Sequence, residues 1–545
     1  MPMPQAPLAP AAGDGPIHLR LCRRIREAIA AGQLAPGARL PSVRSLASEL
    51  HLSRGTVELA YQVLATEGFV AARGPAGSFV APGVAGWARA NRGAARAPGA
   101  IAAPGVTATG TALDPTPPDA PAPASPLPIA PAPASPRLIP SVEPRIESAT
   151  LLPFQLGLPA LDAFPRKTWA RIAGRQARAL DVAAMGHPDP AGHAPLRRAI
   201  AIHAGIARGI ACAPEQVFVT AGYRAALDLV CRALLRPGEG GWFEDPGYPF
   251  ARRHLELAGL KLAPVPVDAE GLDVAAGEAL APRARFAVVT PAHQSPTGVA
   301  LSLPRRLALL AWASRAGAWI IEDDYDSEFR YHGRPLPALT SLDRDGRVLF
   351  AGSFSKLLFP GLRLAYLVVP AAEVGRFAAA AQTLHGPGPV ATQASVADFM
   401  AQGHFARHLR RMRALYAERR GWLAEALAEA EAVVPADEPA SAGPAVPTDT
   451  PAPTGGPGWR VAPQAGGLHL LARLAAGRDD RRIAAEARAR GLAVQALGDW
   501  RVGTGDTDDG SGAEDGGLLL GFANFTSAEE ARKSVARLAE VAGLR

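Results

Sequence analysis

The sequence predicts an α/β protein in two parts. A small N-terminal winged helix-turn-helix head precedes a larger body, whose mainly parallel sheet carries helices on both faces and ends in a smaller α+β lobe. Three observations predict this. Within residues 16–82 two short helical segments meet at a tight turn. Beyond residue 151, short apolar runs at 217–220, 286–290, 319–322, 348–351 and 364–369 alternate with helical stretches such as 225–235 and 303–315. That alternation is the pattern of parallel strands linked by helices. From about residue 385 helical spacing dominates, notably over 404–428, before strand-like runs at 468–471 and 518–522.

Composition sets the bounds. At 545 residues the chain is long enough for more than one domain, and 48% hydrophobic with 20% charged residues is a globular balance. The net charge of +7 is spread widely and argues only weakly for nucleic acid. Cys22, Cys212 and Cys231 lack metal or redox spacing, so a reduced, cytoplasmic protein is expected. Residues 1–15 have neither a basic start nor an apolar run, and they read as a disordered tail rather than a signal peptide. No uninterrupted apolar stretch reaches about 18 residues, so no membrane partner is expected.

The head begins with helical spacing over 19–29. A turn over 34–42 ends at Ser42, an N-cap residue for the helix 43–50. Ser53 caps a second helix from 54 to about 67, and 69–73 with 77–80 form a two-stranded wing. In this arrangement the N-terminal end of the second helix enters the major groove. Ser53, Arg54 and Thr56 stand there; Ser42 and Arg44 on the first helix, and Arg73 and Gly77 on the wing, are placed for the backbone. Eight arginines against four glutamates give residues 16–82 about +4, which suits a double-stranded DNA operator. Residues 83–150 hold 14 prolines in 68 positions and read as a flexible linker. A coil of that length spans roughly 45 Å. Inserts at 434–458 and 502–517 read as surface loops in a body running from 151 to 545.

The chemistry of the body centres on one lysine. The chain has four lysines and 53 arginines, and Lys356 lies in Gly352-Ser353-Phe354-Ser355-Lys356, ahead of Arg363. Pyridoxal 5′-phosphate (PLP) needs an amine for its aldehyde, and Lys356 supplies one as a Schiff base. It needs a carboxylate at its pyridine nitrogen, and Asp323 ends an expected strand. Tyr325 is placed for the ring oxygen and Tyr248 for stacking. Ser353, Ser355 and Arg363 suit the phosphate, as do the backbone amides of Gly222, Tyr223 and Arg224 between a strand and a helix. Other patterns carry less. Glu322, Asp323, Asp324 and Asp326 could hold magnesium, but no phosphate-binding loop accompanies them. His404 and His408 have zinc-like spacing without a third ligand, so no metal is expected. The glycine-rich run 503–517 lacks a strand-loop-helix context.

These runs carry a family likeness. The head, through Leu40-Pro41-Ser42 and Ser53-Arg54, resembles the GntR family of winged-helix regulators. The body resembles fold-type I PLP-dependent aminotransferases through Pro291-Ala292-His293-Gln294-Ser295-Pro296-Thr297-Gly298, the acidic-Tyr run and the Ser-Phe-Ser-Lys segment. Together they resemble the MocR (PdxR-like) subfamily of GntR regulators. The resemblance implies a domain-swapped homodimer with each head near the partner's body, and DNA binding altered by PLP with or without an amine or amino acid effector.

Departures from the aminotransferase pattern bear on activity. The C-terminal arginine that clamps a substrate carboxylate falls within Leu518-Leu519-Leu520-Gly521-Phe522, at a leucine, which cannot make a bidentate contact. Ser295 stands where those enzymes have asparagine, which shifts expected ring contacts to His293 or Gln294. His187 stands in place of a tyrosine that reaches the partner's phosphate. A sensory rather than enzymatic body is therefore expected, with residual transamination possible. The alternatives are an active aminotransferase carrying a DNA-binding head, and a cofactor-free dimerisation scaffold.

Overall fold

The computed structural model describes residues 17–30, 33–66, 69–72, 77–81, 151–182, 185–331, 336–384, 386–432, 458–461, 464–502 and 516–544. Residues 1–15, the linker expected at 83–150, Arg73, and the inserts at 434–458 and 502–517 apart from their edges lie outside the described residues.

The head forms as the capping residues dictate. Helices α1 (Ile17–Ala30), α2 (Val43–Glu49) and α3 (Arg54–Thr66) precede an antiparallel wing of β1 (Val70–Ala72) and β2 (Ser78–Val80), with Val70 opposite Val80. Ser42 Oγ accepts from Ser45 N at 3.1 Å, and Ser53 Oγ accepts from Thr56 N at 3.1 Å. Between α2 and α3, His51 takes a left-handed φ of 51°, which closes the short turn. Leu21, Ile25, Leu46, Val57, Leu64 and Phe69 are buried together beneath it. The Tyr61 hydroxyl donates to Pro41 O at 2.7 Å, tying α3 to the turn before α2.

The body holds an eight-stranded sheet of β3 (Val217–Thr220), β4 (Gly240–Asp245), β5 (Lys261–Asp268), β6 (Gly271–Leu272), β7 (Phe286–Val289), β8 (Trp319–Asp324), β9 (Val348–Ser353) and β10 (Ala365–Val368). Their order is β3-β10-β9-β8-β7-β4-β5-β6. The run β9-β8-β7-β4-β5 is parallel, whereas β10 lies antiparallel between β3 and β9. Neighbouring residues feed opposite faces, as a pleated strand requires. Phe243, Val288, Ile321 and Leu349 enter one core, while Trp242, Val289, Ile320 and Val348 enter the other.

The α+β lobe follows the long helix His404–Ala432. Its antiparallel sheet comprises β11 (Trp459–Val461), β12 (His469–Leu474), β13 (Gln495–Ala496) and β14 (Gly517–Gly521), ordered β11-β12-β14-β13. Among the described residues no helix is long and apolar enough to cross a membrane.

Sheet direction decides where chemistry collects. Two antiparallel steps through β10 leave β3 running the same way as β9, so β3, β4, β7, β8 and β9 all end at one edge. In open α/β sheets, that carboxyl-end edge is where ligands bind.

Candidate functional site

Each strand delivers its residues to this edge. β3 leads into Gly222, Tyr223 and Arg224; β4 into Tyr248; β7 into His293, Gln294 and Ser295. β8 carries Asp323 one residue before its end, ahead of Tyr325, and β9 ends at Ser353, the cap of the short helix Phe354–Leu357 that carries Ser355 and Lys356. In the β8–β9 register Asp323 pairs with Ala351 and Asp324 with Gly352, which sets the acid and the lysine segment on adjacent strand ends. The Lys356 amine donates to the Gly157 carbonyl. A Cβ at Gly157 would come within 3.2 Å of that amine, so glycine keeps the space beside it open. Nothing in the local pattern around Gly157 had marked it.

The acidic run divides by partner. Glu322 accepts from Leu339 N at 2.7 Å and from Thr340 N and Oγ1 at 2.9 and 2.8 Å, so it braces a loop. Asp324 meets Arg208 at 2.7 Å, with both side chains buried. Burial alone would lower the Arg208 pKa, but Asp324, then Glu328 and Glu322, hold it above its ordinary value. Asp326 lies 3.2 Å from His293 Nδ1. Asp323 is buried and forms no ion pair among the described residues. Burial pushes its pKa up to about 8, helped by Asp324, Glu244 and Asp326 and opposed by the neighbouring Tyr223 hydroxyl. A carboxylate held this way lacks a positive counterpart, the requirement a pyridinium nitrogen meets.

The other end of the edge is arranged for an anion. Gly222 has φ 104° and precedes the helix Tyr223–Leu234. A Cβ on it would stand 3.1 Å from Arg363 Nη2. Arg363 is exposed, with a left-handed φ of 47°. Ser353 Oγ accepts from Ser355 N at 3.2 Å. Arg224 is half-buried on the same helix. Helix amides, hydroxyls and a guanidinium together form a donor set for a phosphate dianion.

The remaining expected residues separate. Tyr248 is half-buried, its ring 5.9 Å from Trp500. His293 Nδ1 lies 2.9 Å from the Tyr325 hydroxyl, with Ser295 beside that hydroxyl as well. Gln294 is fully committed to scaffolding: its amide donates to Glu244, Pro246 and Ser295, and its oxygen accepts twice from Thr297. It shapes the loop and has no atom left for a ring. His187 is exposed and forms no hydrogen bond or ion pair with the cluster among the described residues. Leu518, Leu519 and Leu520 are buried, and Leu519 packs with Leu471, Leu497, Leu156 and Trp500 where a carboxylate clamp would need a cation.

On the head, Arg44 and Arg54 are exposed at the starts of α2 and α3, and Thr56 bonds Ser53 Oγ at 2.8 Å. Gly77 has φ 97°, and a Cβ there would meet Arg39 Nε at 3.4 Å. The Arg39–Phe79 bridge brings this exposed arginine to the wing, a basic residue the motif had not singled out.

Known proteins share both halves. Residues 18–80 match the family described as bacterial regulatory proteins, gntR family, and residues 164–443 match aminotransferase class I and II. The chain is 39% identical to the "Probable rhizopine catabolism regulatory protein MocR" of Rhizobium meliloti, over 74% of this chain and 76% of that one. It is 31% identical to the pyridoxine biosynthesis transcriptional regulator PdxR of Corynebacterium glutamicum, over 93% and 92%. Among solved structures, the α-aminoadipate aminotransferase LysN of Thermus thermophilus, complexed with N-(5′-phosphopyridoxyl)-L-leucine, covers 72% of this chain and 92% of its own, with TM-score 0.59 and 29% identity. The chain thus belongs to the MocR-type GntR regulators, which join a gntR-family helix-turn-helix to a class I and II aminotransferase domain.

Proposed function

We propose that the chain is a PLP-responsive transcription regulator: the heads of a homodimer bind a double-stranded operator, and each body senses PLP or an amine or amino acid effector. The observation that carries this is the placement of Asp323 at the end of β8 beside the end of β9, from which the short helix bearing Lys356 continues, with the Gly222–Arg363 corner completing the donor set. The residues fit the group. Lys356 would hold its aldehyde, Asp323 would serve its ring nitrogen, Tyr325 its ring oxygen and Tyr248 its face. Gly222, Ser353 and Arg363 would hold its phosphate. When bound, PLP supplies an aldehyde that captures primary amines and a ring that draws electrons from them. The His293–Tyr325 bond orients the hydroxyl that would meet the ring oxygen. A ligand changes DNA binding only by favouring one arrangement of heads over another, so the body must contact the heads differently in its two states.

Working transamination is the second reading. The 2-aminoadipate transaminase of Thermus thermophilus is 34% identical over 49% of this chain. The buried leucines of β14 favour the sensory role. Two measurements separate the readings. Purified chain mixed with PLP develops an absorbance band near the visible edge that Lys356→Ala lacks, and PLP changes the affinity for operator DNA. Sustained keto-acid formation from amino acid donors would instead establish an enzyme, and a colourless mixture would support a scaffold without cofactor.

A further inference from the structure

A cavity of about 240 Å³ is walled by the loop after β7, the segment after β8, and residues 464–467. None of the residues assigned above to the phosphate or the aldehyde lines it; His293 is shared. Its wall holds side chains that are more than nine-tenths buried yet incompletely partnered: His293, Asp326 and Gln464. Neither Asp326 oxygen accepts a hydrogen bond among the described residues, although Oδ1 lies 3.2 Å from His293 Nδ1. Gln464 donates to Thr297 O at 3.2 Å, which leaves its Oε1 without a donor. His293 Nε2 and Ser327 Oγ are also unpartnered. A buried carboxylate and amide oxygen without donors are costly, and a guest rich in N–H groups relieves that cost. With its proton on Nδ1, toward Tyr325 and Asp326, the His293 ring offers Nε2 as a further acceptor. Arg330 lines the same cavity, which disfavours dications and confines a guest's positive end to the Asp326 side.

We propose that this cavity is a second small-molecule site, taking a small organic cation with several N–H donors, an alkylammonium or guanidinium group, on Asp326, Gln464 and His293. Occupancy reaches the first site through the 2.9 Å His293–Tyr325 contact, because a donor on Nε2 holds the ring proton on Nδ1 and so sets which partner the Tyr325 hydroxyl serves. Binding to the cavity stands apart from the cofactor reading; only this coupling rests on it.

The test is calorimetric titration of the full-length chain with methylguanidinium chloride, which forms no stable imine with an aldehyde at neutral pH. Runs are made with and without PLP, with sodium chloride as the ionic-strength control and sodium acetate as the anion control. One saturable site per chain is expected in both states, with ethylammonium competing in the PLP-free state. Asp326→Asn weakens binding at least about tenfold, the effect of losing a charge-assisted contact. Gln464→Leu weakens it in the same direction and carries the comparison alone if Asp326→Asn does not fold. In the PLP-loaded chain the absorbance band shifts on adding methylguanidinium. Heats no larger than the salt control, saturable acetate uptake in place of the cation, or unchanged affinity in a folded variant would overturn the proposal. If PLP gives no coloured species, the cofactor reading fails and the calorimetry still decides the cavity.

Discussion

Asp323 shows how a binding site costs the empty fold stability. Its carboxyl ordinarily titrates at 3.8, and burial raises that to about 8 in the folded chain. Below about pH 4 both states are protonated. Between about pH 4 and 8 the folded state keeps a proton that the unfolded state releases, so stability falls as pH rises through that window, by at most about 1.4 kcal/mol per pH unit. Asp323→Asn removes this loss. The PLP-free variant is expected to gain stability over the parent toward pH 8 and to match it near pH 4, while binding PLP more weakly. Melting curves across pH check this, and parallel pH profiles would contradict it. Gly222→Ala is a second residue-scale case. Its Cβ would meet the Arg363 guanidinium at a φ that side chains rarely adopt, so PLP affinity is expected to fall at least about tenfold in an absorbance titration. Much of the candidate site could be proposed from the sequence, because Lys356, Asp323, Tyr325 and Arg363 have the residue types that the proposed chemistry demands. Gly157, Ser295 and Arg208 could not. Their roles come from contacts between segments far apart in the chain, which no local pattern encodes.

At the scale of elements, Arg208 joins the end of the helix Ala194–Arg208 to the end of β8 and donates to Leu336 O at 2.7 Å. Arg208→Leu strands the buried Asp324 carboxylate and is expected to cost about 3–5 kcal/mol. Pairing it with Asp324→Leu should recover most of that in denaturant unfolding; no recovery would mean the two charges do not act as a pair. The strands legible in the sequence were the mainly apolar ones, β3, β7 to β10, β12 and β14, together with the two wing strands. β4 and β5 were not. β4 opens on Gly240-Gly241, and β5 carries Pro264 and Pro266, which demote a run as a strand candidate. β5 tolerates them near the end of the sheet, where its outer side pairs with β6 only at Val267 and Asp268. The head was legible because Ser42 and Ser53 cap their helices by bonds to residues three positions on. There, Arg44→Ala is expected to lower the slope of log affinity against log salt by about 1, as one lost phosphate contact does. Arg54→Ala is expected to weaken selected DNA more than random DNA. Mobility-shift titrations at several salt concentrations measure both, and an unchanged slope for Arg44→Ala removes it from the backbone contacts.

For the whole molecule, the account needs the sensing edge and the DNA-binding head to communicate. A 68-residue proline-rich stretch separates them in sequence, and docking of heads against bodies is the coupling that the proposed function requires. The first requirement is that the body captures PLP at the expected residue. The most direct measurement is borohydride reduction of the PLP-treated chain followed by peptide mapping, which the four lysines make simple to interpret. The account predicts a pyridoxyl adduct on Lys356. Its absence there, or equal labelling of Lys167, Lys261 and Lys533, would contradict it.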